Sequence, residues 1–215
     1  MIRLHKNKTK PLSLETNKQY DGEDVKALLL LDHDSKCYLC ERSLVTDFEI
    51  EHFQSATKNE NLRFAWENLF LACGYCNKKK SDKFDDILNP LKIDVENVIE
   101  QRLDYSCKKA VFKTSMEGQE CARTIELLNL IFNGKSHVRN LKEEKFFHYI
   151  MSVITHFLKI VDDYLNDPQE EKKDLLRSEL SKGSELLGFK YWIVKDHSKL
   201  FEDFKDDIVW NKQDK

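Results

Sequence analysis

Two C-x-x-C pairs constrain this chain more than any other feature of its sequence. Cys37 and Cys40 form the first pair, and Cys73 and Cys76 form the second. Each pair places two sulfurs on one tight turn, and zinc prefers tetrahedral coordination by thiolates. The four cysteines therefore predict a closed structural Zn²⁺ site with no open position for catalysis. A redox C-x-x-C pair and buried thiols without a metal are the alternatives.

Composition narrows the class of protein further. The 215 residues are 40% hydrophobic, which suits one large domain or two small ones, and only 6 are Gly and 3 Pro, which favours helices. The net charge is −3 and the pI is about 6.2. A protein that coats nucleic acid without specificity is usually more basic. Any nucleic-acid binding is therefore expected from a local patch or through a partner.

The sequence lacks the signals of secretion or membrane insertion. The first residues, MIRLHKNKTK, have no apolar run, and no stretch approaches 18 uninterrupted apolar residues. We therefore expect a cytoplasmic protein with no membrane partner, and a reducing compartment favours metal over disulfide for the paired cysteines. Cys107 and Cys121 have no partner spacing and are predicted to be ordinary buried thiols.

Residues 1–92 are predicted to form a compact, metal-rich domain. DGEDVKALLLLDHDS indicates a short helix with acidic residues at its start. TDFEIEHF alternates polar and apolar residues as a strand does, and WENLFLAC leads back to the second cysteine pair. NKKKSDKFDDIL predicts a helix that begins at Asn77 and ends before Pro90.

Residues 93–215 are predicted to be mainly helical, which makes the fold class α+β, mainly α. DVENVIEQRLD and QECARTIELLNLIF have helical apolar spacing, with CKKAVFK between them as an edge strand. The strongest helix runs from about 141 to 165, and QEEKKDLLRSELSKGSELLG predicts another that stops at Gly188. FKYWIVK fits a strand or a short buried run.

A set of polar residues is interleaved with the four cysteines. Glu51 and His52 end the predicted strand, Asn68 precedes a leucine, and Asn77 directly follows the second cysteine pair, with Lys80 three residues later. In this order the residues resemble the HNH endonuclease motif, a ββα-metal finger. The resemblance implies a zinc-stapled HNH finger followed by a helical C-terminal half.

The resemblance also implies a role for each residue in phosphodiester hydrolysis. His52, with a reference pKa of ~6.5, would accept the proton of water as general base. Glu51 and the amide oxygen of Asn77 would hold Mg²⁺ or Mn²⁺, which polarises the scissile phosphate. Asn68 would order the loop. Lys79 and Lys80 would hold the flanking phosphate, helped by the positive end of the helix.

The chain departs from the commonest HNH pattern in ways that bear on the metal. Position 51 is Glu rather than Asp, and Asn77 replaces the last histidine, which favours Mg²⁺ or Mn²⁺ over softer metals. Adjacent residues of a regular strand point to opposite faces, so Glu51 and His52 face one phosphate only where the strand ends or bends.

Beyond the finger, the order of short segments is similar to that of a bacterial group of HNH proteins. The segments are EIEHFQS, WENLFLAC, CNKKKSD, ILNPLKID and ARTIELLNL. Members of that group are encoded beside an ABC-type or SMC-like ATPase in Septu-type anti-phage systems, some of them attached to retrons. The resemblance implies an effector controlled by an ATPase. The helix from 141 to 165 is apolar on more than one face, and so packs in its own core or against that partner.

These observations predict a metal-dependent HNH endonuclease with structural zinc that acts on DNA as a defence effector. Two alternatives stay open. The same site acting on RNA, such as tRNA, needs no other residues, because phosphodiester chemistry does not reveal the sugar. A zinc-stabilised adaptor that binds nucleic acid or protein without cutting keeps the same cysteines.

Overall fold

Helices and two short hairpins build the protein, and the predicted class, α+β and mainly α, is confirmed. The computed structural model describes residues 1–16, 18–135 and 138–210. The helices are α1 (Leu12–Thr16), α2 (Glu23–Asp32), α3 (Gly74–Lys80), α4 (Val95–Val98), α5 (Gln119–Phe132), α6 (Leu141–Asn166), α7 (Glu170–Glu179), α8 (Leu187–Asp196) and α9 (Ser198–Phe204). The strands are β1 (Glu49–His52), β2 (Leu69–Ala72), β3 (Glu100–Asp104) and β4 (Lys109–Lys113). Short 3₁₀ turns span Glu60–Leu62, Trp66–Asn68 and Ser81–Lys83.

The first hairpin and the helix after it form one local unit. β1 and β2 pair antiparallel, with Glu49 opposite Ala72 and His52 opposite Leu69. All four residues of β2 are apolar and buried, whereas β1 mixes exposed and buried positions. α3 then follows directly and packs against β1. β1 ends at His52, which confirms the predicted end of the strand at this dipeptide.

α3 differs from its prediction at both ends. The helix begins at Gly74 rather than Asn77, because the sulfur of Cys73 caps it by accepting a hydrogen bond from the Cys76 N–H. It ends at Lys80 rather than before Pro90, because Ser81 takes a positive φ of 47° that interrupts helical geometry. The segment from 84 to 94 contains no helix or strand.

The predicted helix DVENVIEQRLD is wrong in its second half. One helical turn, α4, is followed by β3, which pairs antiparallel with the correctly predicted strand β4. The partner strand decides this conformation: Gln101 is buried within the hairpin, opposite Phe112. Periodicity over four or five residues does not distinguish these two structures.

The C-terminal helices follow the predictions up to residue 179 and depart from them afterwards. α6 begins with a capping box in which Asn140 and Glu143 bond to each other's backbone N–H. α7 ends at Glu179, and Gly188 lies inside α8 rather than at a helix end. FKYWIVK belongs to α8, a helix buried on several sides. In the described part of the chain, no helix is both long enough and apolar enough to cross a membrane.

One apolar cluster runs across residue 92, where the sequence places its domain boundary. The Tyr75 hydroxyl, on α3, donates to the Ile131 carbonyl oxygen of α5 at 2.6 Å. The Tyr75 ring also lies 5.0 Å from the ring of Phe146 on α6, measured between centroids. A second cluster joins the last helices to Ile2. The hairpin and α3 are therefore held in place by the helical region.

Candidate metal centre and active-site cleft

The four paired cysteines come together from two separate turns. Cys37 and Cys40 lie in the turn after α2, and Cys73 and Cys76 lie at the start of α3. All four Sγ atoms are within 4.8 Å of one another, and those of Cys40 and Cys73 are 4.0 Å apart. Zn–S bonds of about 2.3 Å in a tetrahedron place sulfurs about 3.8 Å apart. The cluster therefore fits a zinc ion.

The chemistry of the four thiols points to a cation. All four are buried. Hydrogen bonding to Cys37 lowers the pKa of Cys73 well below its usual range and raises the pKa of Cys40, while burial raises that of Cys76. Four thiolates in one buried space are unstable unless a cation binds them. A zinc ion would supply that charge and join the turn after α2 to α3.

The two remaining cysteines lie outside this cluster. Cys121 is buried in α5, as predicted, but Cys107 is exposed, and its predicted burial is wrong. Cys107 lies in the turn between β3 and β4, where no other element covers it.

A cleft of about 240 Å³ opens where β1 ends beside α3. Three of the predicted catalytic residues line it, namely Glu51, His52 and Asn77. Asn77 is distant from the other two in sequence and reaches the cleft because α3 packs against β1. The rest of the lining comes from Ile50 of β1, from the loop after β1 and from the turn that ends α3. The structure thus brings the acid, the histidine and the amide to one surface.

The histidine is held in one tautomer. His52 Nε2 lies 2.9 Å from the carbonyl oxygen of Arg63. A carbonyl oxygen only accepts, so Nε2 carries the proton and Nδ1 is left as the acceptor. The ring also packs edge-on against Tyr20, with centroids 4.9 Å apart. Burial and the positive charge of Arg63 lower the pKa of His52, so the ring is neutral near pH 7.

The Glu51 carboxylate is buried, and each of its oxygens has one partner. Its Oε1 lies 2.7 Å from the Lys80 ammonium, and its Oε2 accepts a hydrogen bond from the Tyr38 hydroxyl at 2.9 Å. Burial raises the pKa of Glu51 to about 7, against the opposing effect of Lys80. Each carboxylate oxygen has two lone pairs, so these contacts leave acceptor capacity for a metal.

Lys79 and Lys80 do not have the free ammonium groups expected of residues that contact phosphate. Lys80 is fully buried between Glu51 and the carbonyl oxygen of His52, 3.2 Å from the latter. Lys79 forms an ion pair with Glu143 at the start of α6. Both ammonium groups are therefore neutralised by acids of neighbouring elements, because α3 is packed between β1 and the helical region. The exposed lysine of this run is Lys78.

Asn77 is oriented by an acid that the sequence reasoning missed. Its Nδ2 donates to Glu49 Oε2 at 2.6 Å. Its amide oxygen makes no hydrogen bond among the described residues, and a hard metal ion binds such an oxygen. A Cβ at Gly74 would lie 2.7 Å from Glu49 Oε1, so glycine permits this approach. The sequence contains a signal for Glu49, because Glu49 and Glu51 share one face of an alternating strand.

Asn68 lies outside the cleft and holds the loop between β1 and β2. Its Nδ2 donates to the carbonyl oxygens of Gln54 and Leu62, at 2.9 and 3.1 Å. Its Oδ1 accepts from the Gln54 N–H at 2.8 Å. These three bonds fix the chain on either side of the loop that supplies Arg63. The exposed Arg63 side chain packs against Tyr20 and was not anticipated from the sequence.

A comparison with protein families covers this same region. A family model described as Bacteriophage Lambda NinG protein matches residues 2–91. The NinG match contains both cysteine pairs, the hairpin, α3 and every residue of the cleft, and it ends before β3. The chain matches none of the curated proteins compared with it. The similarity to NinG thus concerns the metal centre and the cleft, and not the helices after residue 91.

Proposed function

We propose that this chain is an HNH-type endonuclease that hydrolyses phosphodiester bonds of DNA with the help of a divalent metal ion. The observation that carries the proposal is the cleft at the end of β1, which Glu51, His52 and Asn77 line together. The β1–β2–α3 order around it and the four-cysteine cluster beside it support an HNH finger stapled by zinc.

His52 acts as the general base. With Nε2 bound to the Arg63 carbonyl oxygen, Nδ1 accepts a proton from the attacking water. The lowered pKa of His52 keeps Nδ1 unprotonated near pH 7. The histidine thus needs no rearrangement before the reaction, because its tautomer and ring position are already set.

The oxygen donors of the cleft suit a hard cation. Glu51 and the amide oxygen of Asn77 would hold Mg²⁺ or Mn²⁺, both of which prefer oxygen ligands. When bound, such an ion polarises the scissile phosphate and stabilises developing charge. Glu49 holds the Asn77 amide through Nδ2, so the amide oxygen keeps one orientation.

Exposed cationic side chains around the cleft would contact the substrate. Arg63 is exposed beside His52, and Lys78 is exposed on α3. Arg63 is a bidentate phosphate ligand by its chemistry, and Lys78 is a point charge. A local patch of this kind is compatible with the overall charge of −3.

The defence role and the ATPase partner rest on the order of sequence segments described above. The structure adds a physical route for control. α6 contacts α3 through the Lys79–Glu143 ion pair and through the rings of Tyr75 and Phe146. A subunit bound to the helical region would therefore press on the helix that carries Asn77. We propose this arrangement for an effector working with an ABC- or SMC-like ATPase.

Cleavage assays test the proposal directly. Purified, zinc-loaded protein is incubated with plasmid DNA or total RNA in Mg²⁺ or Mn²⁺, beside His52→Ala and the matched control His148→Ala, an exposed histidine of α6. We expect DNA cleavage that EDTA and His52→Ala abolish and His148→Ala leaves intact. Cleavage of RNA alone would assign the site to RNA. Inactivity toward both substrates, with and without the ATPase, would favour the adaptor.

A further inference from the structure

A second cavity, of about 560 Å³, lies between the first residues of the chain and the end of α2. Residues 2–8 and 31–34 line most of it, and the wall is completed by Lys36, Cys37, Tyr38, Glu41, Lys182 and Trp210. Its volume falls in the range of about 300–1,000 Å³ that is typical of small-molecule sites. The cavity is separate from the cleft at β1, which shares none of its lining residues.

A buried histidine without hydrogen bonds faces this cavity. His33 is 1% exposed, and neither ring nitrogen bonds to any residue in the described chain. Burial lowers the pKa of His33, so the ring is neutral and offers one donor and one acceptor. His5 Nε2, which also belongs to the lining, is buried and unbonded within the described residues. Native proteins rarely leave such groups unsatisfied, so they point to a polar ligand.

The charges of the lining favour an anion. Three carboxylates are present, and Glu41 and Asp32 already accept backbone N–H groups from Gly188 and Asn7. Five cations line the same space, namely Arg3, Lys6, Lys8, Lys36 and Lys182.

Two of these cations, Lys6 and Arg3, are only partly satisfied by their neighbours. Lys6 donates to the carbonyl oxygens of Trp66 and Leu69, which carry no net charge, and burial lowers the pKa of Lys6 to about 7. Arg3 forms an ion pair with Asp94 at 3.7 Å, and its buried Nε makes no hydrogen bond within the described chain. An anion bound at these two side chains would pair with the Arg3 guanidinium and favour the charged form of Lys6.

We propose that this cavity binds a phosphate monoester of mononucleotide size. The phosphate lies against Arg3 and Lys6, and a heterocyclic body offers His33 its complementary donor and acceptor. Apolar side chains of the wall, Leu4 and Leu31 among them, pack on that body. The volume is larger than a bare phosphate requires. The proposal does not depend on nuclease activity, because no residue of the cleft takes part.

The position of the cavity gives a bound ligand a route to the cleft. Tyr38 lines the cavity and donates its hydroxyl hydrogen to Glu51. Phe70, which packs edge-on against His33, pairs with Glu51 across the hairpin. A ligand that moves either ring therefore changes the surroundings of the Glu51 carboxylate.

Calorimetric titration of the full, zinc-loaded chain without added divalent metal tests the site. The probes are AMP, GMP, adenosine and inorganic phosphate. We expect AMP or GMP to bind at least about tenfold more tightly than adenosine or phosphate, and His33→Leu and Arg3→Gln each to weaken that binding by about tenfold or more. His148→Leu, at an exposed position of α6, leaves it unchanged. In histidine-ring NMR spectra, the nucleotide shifts the His33 signals and not those of His52.

Three results would overturn the site. They are the absence of binding by any probe, nucleotide binding that survives both His33→Leu and Arg3→Gln, and phosphate binding as tight as nucleotide binding. Thermal unfolding of each variant is recorded in parallel. Should His33→Leu fail to fold, Arg3→Gln decides, because Arg3 is partly exposed and belongs to neither apolar cluster.

Discussion

Lys80 and Glu51 form a buried ion pair beside the proposed active site. Their charged atoms are 2.7 Å apart, and the side chains are 0% and 4% exposed. The pair joins α3 to β1, the two elements that carry Asn77 and His52. A buried pair adds little net stability, but removing one partner leaves an uncompensated charge and is costly. The pair therefore sets the distance between the two halves of the cleft.

Lys80→Met is expected to lower the free energy of unfolding by about 3–5 kcal/mol, because Glu51 then stays buried without its cation. Urea denaturation of the zinc-loaded protein measures the change. The double variant Lys80→Met/Glu51→Gln recovers part of the loss, since no buried charge remains. Lys78→Met, at the exposed position of the same helix, is the control. Equal urea midpoints for Lys80→Met and Lys78→Met would refute a structural role for the pair.

Asn68→Ala is expected to free the loop between β1 and β2. The change removes three hydrogen bonds to the backbone of Gln54 and Leu62, at a cost of about 1–3 kcal/mol. Hydrogen exchange reports it locally: the Gln54 amide exchanges faster than in the wild type. Asn61→Ala, an exposed asparagine in the same loop, leaves that amide protected. Unchanged protection at Gln54 in the Asn68 variant would contradict the assignment.

Much of the fold could be predicted because its signals are local. The C-x-x-C spacing sets two sulfurs on one turn whatever surrounds it, and all four sulfurs are clustered in the structure. Alternation over 49–52 marks β1, and apolar spacing marks α2, α5 and α6. The NinG match over residues 2–91 covers the two cysteine pairs, α2 and β1, and ends before α5 and α6.

The remainder depends on contacts between residues that are distant in sequence. The ion pair of Lys79 joins it to Glu143, 64 positions later, and no local pattern indicates that partner. β3 forms because β4 offers it backbone partners, and α8 is helical although its short apolar run also fits a strand. For the same reason, the sequence predicted that Lys79 and Lys80 contact phosphate, whereas in the structure each of them pairs with an acidic side chain.

The four-cysteine cluster predicts that zinc and folding are coupled. Cys40→Ser removes one thiolate ligand, so we expect loss of bound zinc, measured by plasma mass spectrometry, and a lower unfolding temperature. A strong chelator produces the same shift in the wild type. Cys107→Ser, at an exposed cysteine outside the cluster, retains both zinc and stability. Full zinc content in Cys40→Ser would show that the four-cysteine cluster is not the metal site.

Glu96 predicts a dependence of stability on pH that is separate from the cleft. Burial raises the pKa of Glu96 from 4.5 to about 7, and the charges of Asp94 and Glu41 act in the same direction. The opposing contacts are the backbone N–H of Glu96 itself and the Arg3 backbone N–H, which donates to Oε2 at 2.7 Å. Between these two pKa values the folded state keeps a proton that the unfolded chain has lost. The contribution of Glu96 to the free energy of unfolding is therefore fully present below about pH 4.5 and is lost as the pH rises toward 7.

Glu96→Gln should remove this loss. A shift of about 2.5 pKa units corresponds to about 3 kcal/mol, so the variant is expected to gain up to that amount over the wild type at pH 7 and little at pH 4.5. Glutamine keeps the acceptor for the Arg3 N–H while carrying no charge. Urea unfolding at several pH values gives the two curves, with Glu117→Gln, at an exposed position, as control. The pKa of Glu51 is also raised, so the contribution of Glu96 is taken from the difference between the wild-type and Glu96→Gln curves. Parallel curves for wild type and Glu96→Gln would show that Glu96 is already ionised in the folded protein at the lower pH.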